Sequence, residues 1–129
     1  MIFVDAGFVI ALVSKNDQWH ENALKVAPKI INKDKIISNL VIEEIISLTG
    51  SKLGTKATKE IYHNILDNYK IFDETRALYD KAIDTFIKYN AKLSLTDSMS
   101  IEIMKEIGIH EIVSFDSDFD NKKGIVRIH

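Results

Sequence analysis

The sequence contains no cysteine and only one proline, Pro28. The absence of cysteine excludes a disulfide framework, a catalytic thiolate and a cysteine-ligated zinc site. Apolar runs are short: Phe8 to Val13, one of the longest, is far below the ~20 residues that span a bilayer. No basic segment precedes an apolar run and a small-residue cleavage site. We therefore expect no secretory leader, no membrane association and a cytoplasmic location.

The chain also lacks an excess of positive charge, since its 17 basic and 19 acidic residues give a net charge of −2. A protein that holds nucleic acid only through its phosphates is usually basic. The charge balance counts slightly against nucleic-acid binding, but it does not exclude a nuclease whose bound cations offset its carboxylates. With 129 residues, of which 46% are hydrophobic and 28% charged, the chain is predicted to form one globular domain over residues 1–129.

Short apolar runs alternate with amphipathic helical segments along the chain. Strands are predicted at 2–4, 35–38, 69–72, 109–115 and 124–128, and helices at 6–13, 17–32, 39–48, 55–66, 74–90 and 95–107. The expected helix caps are Asp17, Asn39, Thr55 and Ser94, with a turn between Gly50 and Gly54. Pro28 is expected to end or kink its helix. Strands that alternate with helices predict an α/β domain with a mainly parallel sheet.

Four carboxylates follow or flank these predicted strands. Asp5 and Asp116 come just after strands, Asp97 lies in the first turn of a helix, and Glu44 lies within another helix. Ligands of open α/β sheets usually bind beyond the carboxyl ends of the strands, so the four acids can converge there. A turn or helix-cap role is the alternative for each acid, and position alone does not decide between them.

Carboxylates that lie close together repel one another unless their pKa values rise or a cation neutralises them. Oxygen ligands without cysteine suit Mg²⁺ or Mn²⁺, which keep several of their waters. Such ions orient a phosphodiester, activate water and stabilise the leaving oxygen. The four acids are therefore candidates for metal-dependent phosphodiester hydrolysis.

Three blocks of the sequence resemble the PIN-domain family, and within it the toxin ribonucleases of VapBC toxin–antitoxin pairs. The blocks are Met1 to Asp5 with Gly7 to Leu12, Ser38 to Leu48, and Leu93 to Asp97 through Val113 to Phe119. The resemblance covers essentially the whole chain and implies a three-layer α/β/α domain. It also implies an endoribonuclease that uses Mg²⁺, or alternatively Mn²⁺, acts on RNA, forms a homodimer and is neutralised by a small antitoxin protein.

Residue by residue, the resemblance assigns metal binding and catalysis to Asp5, Glu44, Asp97 and Asp116, with Ser114 supporting the site through hydrogen bonds. Glu43 competes with Glu44, but the two point about 100° apart on a helix, and the alignment of the block favours Glu44. Asp118 is a further candidate ligand, because an extended Asp-Ser-Asp segment would place both acids on one side. The family commonly has a hydroxyl residue after its first Asp, whereas this chain has Ala6.

Two other functions are alternatives. One is an Asp-based phosphotransferase of the haloacid-dehalogenase or receiver type, with Asp5 as acceptor. The dehalogenase class expects a second Asp two residues after the first, where this chain has Gly7, and a receiver expects further acids next to the first strand and a late Lys, which the sequence does not place. A PIN-like binding or assembly module without strong catalysis is the other alternative, and Ala6 is its best support. Trp19 is expected to pack rather than to contact RNA or a partner. Lys52, Lys56 and Lys59 are expected to form a solvated face, with RNA contact as the alternative.

Overall fold

The computed structural model describes residues 1–129, and its five strands form one sheet. The strands are β1 (Ile2–Val4), β2 (Lys35–Ser38), β3 (Lys70–Phe72), β4 (Glu111–Val113) and β5 (Val126–Ile128). They are ordered β3-β2-β1-β4-β5, and every neighbouring pair is parallel. The predicted strands are confirmed, and the sheet is wholly rather than mainly parallel.

Six helices connect the strands: α1 (Ala6–Val13), α2 (His20–Ile30), α3 (Asn39–Leu53), α4 (Thr55–Asn68), α5 (Arg76–Lys88) and α6 (Leu95–Ile107). The chain passes from β1 to β2 to β3 in one direction and then returns past β1 to β4. Because parallel crossovers are right-handed, this reversal places α1 to α4 on one face and α5 and α6 on the other. In agreement, α1 packs on α2 and α3, while α5 packs on α6. The three-layer α/β/α architecture is confirmed.

Several helix ends differ from the prediction. The second helix begins at His20 instead of near Asp17, because the Asp17 Oδ1 accepts the backbone N–H of Trp19 at 2.8 Å in the preceding turn. Pro28 lies inside that helix, which ends two residues later at Ile30. The proline removes one helical hydrogen bond, and the helix continues for only two residues beyond it.

The connection between α3 and α4 is also tighter than predicted. Helix α3 continues through Gly50 to Leu53, so the turn shrinks to Gly54, whose φ of +87° suits a residue without a Cβ. Thr55 is the first residue of α4 rather than its cap. No helix combines the length and the apolar character needed to cross a membrane. The single domain over residues 1–129 stays a prediction.

The central strand β1 is the most deeply buried element, and each of its three residues is 0% exposed. Helices cover the sheet on both faces, which explains why β1 is a continuous apolar run rather than an alternating one. Its backbone leads directly to Asp5, which is itself buried. The core therefore fixes the position of the first acid.

Candidate active site

The strand order creates a crevice between β1 and β4. The chain leaves β1 towards β2 and reaches β4 only after it has crossed to the other half of the sheet. Ligands of open α/β folds bind at such switch points, beyond the carboxyl ends of the strands. A cavity of about 400 Å³ opens there. Its lining consists of Asp5, Gly7, Trp19, Glu44, Asp97, Phe115, Asp116 and Ser117. The structure thus brings all four predicted acids together.

Asp5 is held by two hydrogen bonds at the end of β1. The Ser114 Oγ donates to Oδ2 at 2.6 Å, and the backbone N–H of Ala6 donates to Oδ1 at 2.9 Å. Burial raises the pKa of Asp5, the charge of Asp116 adds to that rise, and the two hydrogen bonds oppose it. Each carboxylate oxygen of Asp5 therefore accepts a hydrogen bond, although Ala6 lacks the hydroxyl that the family commonly has after its first Asp.

Ser114 links the two acids at the switch point. While its hydroxyl donates to Asp5, the same Oγ accepts the backbone N–H of Asp116 at 3.0 Å. Ser114 is 0% exposed and follows β4 directly. Ser114 thus makes the hydrogen bonds that a supporting residue would make, and its role in the site stays a prediction.

The adjacent residues Glu43 and Glu44 of helix α3 point in different directions. Glu44 lines the cavity, whereas Glu43 is exposed and accepts a hydrogen bond from the Ser47 Oγ at 3.1 Å. Burial raises the pKa of Glu44, and the charges of Asp5 and Glu43 raise it further. The geometry selects Glu44 over Glu43 as the cavity residue.

Asp97 approaches the cavity from the first turn of α6. The Ser94 Oγ caps this helix by accepting the backbone N–H of Asp97 at 3.0 Å, as the capping pattern predicted. Burial, followed by the charges of Asp5 and Asp116, raises the pKa of Asp97 to about 7. A carboxyl in this state changes its charge near neutral pH.

Asp116 and Asp118 separate because the segment after β4 is not extended. Residues Ser117–Phe119 form a short 3₁₀ helix, and the Asp116 Oδ1 accepts the backbone N–H of Asp118 at 2.9 Å. Asp118 is exposed and lies outside the cavity lining. The expectation of an extended Asp-Ser-Asp segment is wrong. The argument that placed Asp118 on the same side as Asp116 therefore does not hold.

No basic side chain forms an ion pair with any of the four acids, although the charge of Arg127 interacts with that of Asp116. The four ion pairs of the molecule join Lys33 to Glu111, Lys70 to Asp34, Lys105 to Glu102 and Arg127 to Asp120. Desolvated carboxylates that repel one another and lack a basic partner favour the binding of a cation. No group of three or more His, Asp or Glu side chains is arranged to hold a metal ion directly. Carboxylate oxygens without a thiolate or imidazole are the donors preferred by a hard ion that takes one or two carboxylates and keeps its other waters.

Two residues that support the site, Glu74 and Arg127, were not predicted from the sequence. The Glu74 carboxylate accepts the backbone N–H groups of Asn39 and Leu40 at 3.0 and 2.8 Å, and so stabilises the start of the helix that carries Glu44. The cap of that helix is Ser38, not Asn39, whose side chain instead donates to Asp73. Only the three-dimensional fold brings Glu74 to this helix, so no local pattern could reveal it.

Arg127 is the second such residue. Its guanidinium binds both oxygens of Asp120, at 2.8 and 2.9 Å, and donates to the Ser114 carbonyl at 3.3 Å. This side chain joins β5 to both ends of the segment that carries Asp116. The pairing depends on the contact of β4 with β5 and leaves no short-range signal in the sequence.

Two aromatic side chains form one wall of the cavity. Trp19 is 40% exposed, and its ring stacks on Phe115 with centroids 5.4 Å apart and planes 11° apart. The expected packing of Trp19 is present, but it takes place at the mouth of the acidic cavity. Lys52, Lys56 and Lys59 are exposed and, like all four histidines, line no part of that cavity.

The fold and site define a doubly wound, all-parallel α/β domain with a cluster of acids, none of them in an ion pair, at its switch point. Comparison with known protein families shows to which family this domain belongs. The PIN domain family matches residues 2–125, and the chain belongs to that family. No curated protein sequence gives a significant match.

Several solved structures share this fold. VapC20 of Mycobacterium tuberculosis, described as a sarcin-ricin loop cleaving toxin, matches with a TM-score of 0.83 and 24% identity over 92% of each chain. VapBC2 of Rickettsia felis, crystallised with a DNA fragment from its promoter, matches with a TM-score of 0.71 and 13% identity over 99% of this chain and 98% of that one. A toxin–antitoxin complex from Klebsiella pneumoniae has a TM-score of 0.69 and 16% identity, covering 98% and 96%. At these identities the likeness establishes the fold.

Proposed function

We propose that the protein is a metal-dependent endoribonuclease that hydrolyses RNA phosphodiester bonds. The observation that carries this proposal is the convergence of Asp5, Glu44, Asp97 and Asp116 on one cavity, without a basic partner, in a chain of the PIN-domain family. RNA as the substrate is supported by VapC20, which has this fold and is described as cleaving the sarcin-ricin loop.

The same four acids would hold Mg²⁺, with Mn²⁺ as the alternative. When bound, the ion would supply the positive charge that attracts the scissile phosphate and stabilises the charge that builds up during cleavage. Within the chain, Ser114 fixes the orientation of Asp5 and the backbone next to Asp116, so two acids are positioned before substrate arrives. Preorganised ligands of this kind need no rearrangement during the reaction.

We further propose that the protein is the toxin of a type II toxin–antitoxin system, in which it forms a homodimer and binds a small antitoxin protein. This proposal is supported by the folds of VapBC2 and of the toxin–antitoxin complex from Klebsiella pneumoniae. Induced expression should arrest growth of the host, and co-expression of a neighbouring small open reading frame should relieve the arrest. Growth that continues at high expression would contradict the role of toxin.

Cleavage of RNA by the purified protein is the direct test of the enzymatic function. The parent should cut total RNA in Mg²⁺ and stop in EDTA, and Asp116→Asn should lose nearly all activity while keeping its fold. Asp118→Asn is the matched control, because this neighbouring acid is exposed and outside the cavity. Equal cleavage by the parent and by Asp116→Asn would refute the assignment.

The alternative function is a PIN-like binding or assembly module with weak or no catalysis. It is favoured because no three of the side chains in the cavity are arranged to hold one metal ion directly, and because an apolar residue follows Asp5. Calorimetric titration with Mn²⁺ separates the two functions. The enzyme should bind the ion and lose binding in Asp5→Asn, whereas a module that has lost its metal should show no heat of binding.

A further inference from the structure

Trp19 is the only tryptophan of the chain, and it lies outside the hydrophobic core. Its side chain is 40% exposed and lines the cavity that holds the four acids. Among the lining residues, Trp19 and Phe115 are the only large apolar side chains. A large aromatic surface left open to water beside carboxylates is more typical of a binding site than of a core.

The position of Trp19 is rigidly supported. One face of the indole stacks on Phe115, and Phe115 in turn packs on Phe8, which is 1% exposed, with centroids 6.2 Å apart. The backbone N–H of Trp19 donates to Asp17 at 2.8 Å, and its carbonyl accepts the N–H of Ala23 at 2.8 Å in the first turn of α2. The exposed indole is therefore anchored to the core through Phe115 and to the start of a helix.

We propose that Trp19, backed by Phe115, is a stacking platform for an unpaired RNA base next to the scissile phosphate. This proposal rests on the proposed function as a ribonuclease. The acidic cavity can attract RNA only through a cation, whereas stacking on an indole needs no charge and accepts every base. A base inside a duplex is already stacked on its neighbours, so the platform selects single-stranded or splayed-out nucleotides. Trp19 thus acts as a positioning residue for substrate.

The fluorescence of the single tryptophan reports directly on stacking. The full parent chain, in Mg²⁺, is titrated with a tetranucleotide RNA whose phosphorothioate linkages resist cleavage. An abasic phosphorothioate chain of the same length and charge is the control. We expect a saturable loss of emission with the RNA and none with the abasic chain. Equal quenching by both, or quenching by neither, would overturn the platform.

Kinetics of the parent and of three Trp19 variants separate stacking from packing. Trp19→Ala should raise KM for single-stranded RNA by about fivefold or more, because stacking on an aromatic side chain contributes ~1 kcal/mol or more per base. The change in kcat should be much smaller, since binding to the ground state and to the transition state is lost alike. Trp19→Phe should restore most of the affinity, and Trp19→Leu, which still covers Phe115, should not.

The two assays also keep this proposal distinct from the proposed function. A Trp19→Leu variant with the KM of Trp19→Phe would show that apolar packing, not stacking, matters, and would overturn the platform while leaving the ribonuclease intact. Base-dependent quenching in a protein that cleaves no RNA would support the platform and reject the enzymatic function.

Discussion

Replacing Asp97 with Asn should stabilise the metal-free protein at pH 8. The pKa of Asp97 rises from 3.8 to about 7 in the folded protein, chiefly because the carboxyl is buried and then because Asp5 and Asp116 lie nearby. A carboxyl whose pKa is raised by folding stabilises the fold when protonated. That contribution is complete below pH 3.8 and is lost as the pH rises through about 7. Asparagine has almost the same shape and carries no charge at any pH.

The magnitude follows from the shift. About 3 pKa units at roughly 1.4 kcal/mol each give a ceiling of about 4 kcal/mol for the cost of ionising Asp97 in the fold. Asp97 is not completely buried and solvent screens part of its charge, so we expect about half of this, or ~2 kcal/mol. For a chain of this length, ~1 kcal/mol moves the melting temperature by roughly 4 °C. The Asn variant should therefore melt about 8 °C above the parent at pH 8.

Thermal and urea unfolding in EDTA at pH 4.5 and pH 8.0 would measure this difference. At pH 4.5 the two proteins should differ by less than ~1 kcal/mol, because Asp97 is then protonated in the folded parent. Asp118→Asn is the control, since its carboxylate is exposed and outside the cavity. A stability gap that does not depend on pH, or a less stable Asn variant at pH 8, would refute the electrostatic reasoning.

Four further predictions test the site and the helices around it. Glu44→Gln should abolish most Mg²⁺-dependent RNA cleavage, whereas Glu43→Gln on the exposed face of the same helix should cleave like the parent. Ser114→Ala should lower the free energy of unfolding by about 1–3 kcal/mol in a urea titration, because a buried carboxylate loses its donor. Gly108→Ala should destabilise by roughly 1–2 kcal/mol, since its φ of +70° disfavours any Cβ. Gly50→Ala, within a helix and in ordinary contact only, should instead stabilise by about 0.5–1 kcal/mol.

Features of the fold that depend on nearby residues could be predicted from the sequence. The run Ile2 to Val4 marks a buried strand, and Ser94 with Gly108 marks both ends of α6 by capping chemistry. Tertiary contacts override local signals elsewhere. Asn39 is a good cap by type, yet Ser38 caps α3, because the Asn39 side chain is drawn to Asp73 across the sheet edge.

Part of the candidate site could also be predicted from the sequence. Asp5, Asp97 and Asp116 follow strands or open a helix, so their convergence follows from the sheet topology. The family resemblance already favoured Glu44 over Glu43, and the orientation of α3 places Glu44 and not Glu43 in the cavity lining. Arg127 could not be predicted, because its partners lie on a loop that only the pairing of β4 with β5 brings near.

The elements that place the acids owe their stability to other residues. Helix α6 begins at the Ser94 cap, α3 begins at Ser38 and is held by Glu74, and Asp5 follows a strand that is completely buried. The carboxylates of Glu44 and Asp97 add repulsion and a desolvation cost to these elements rather than support, as their raised pKa values indicate. Neutralising either acid should therefore leave the fold intact. Any loss of RNA cleavage in such variants can then be assigned to the chemistry of the cavity and not to unfolding.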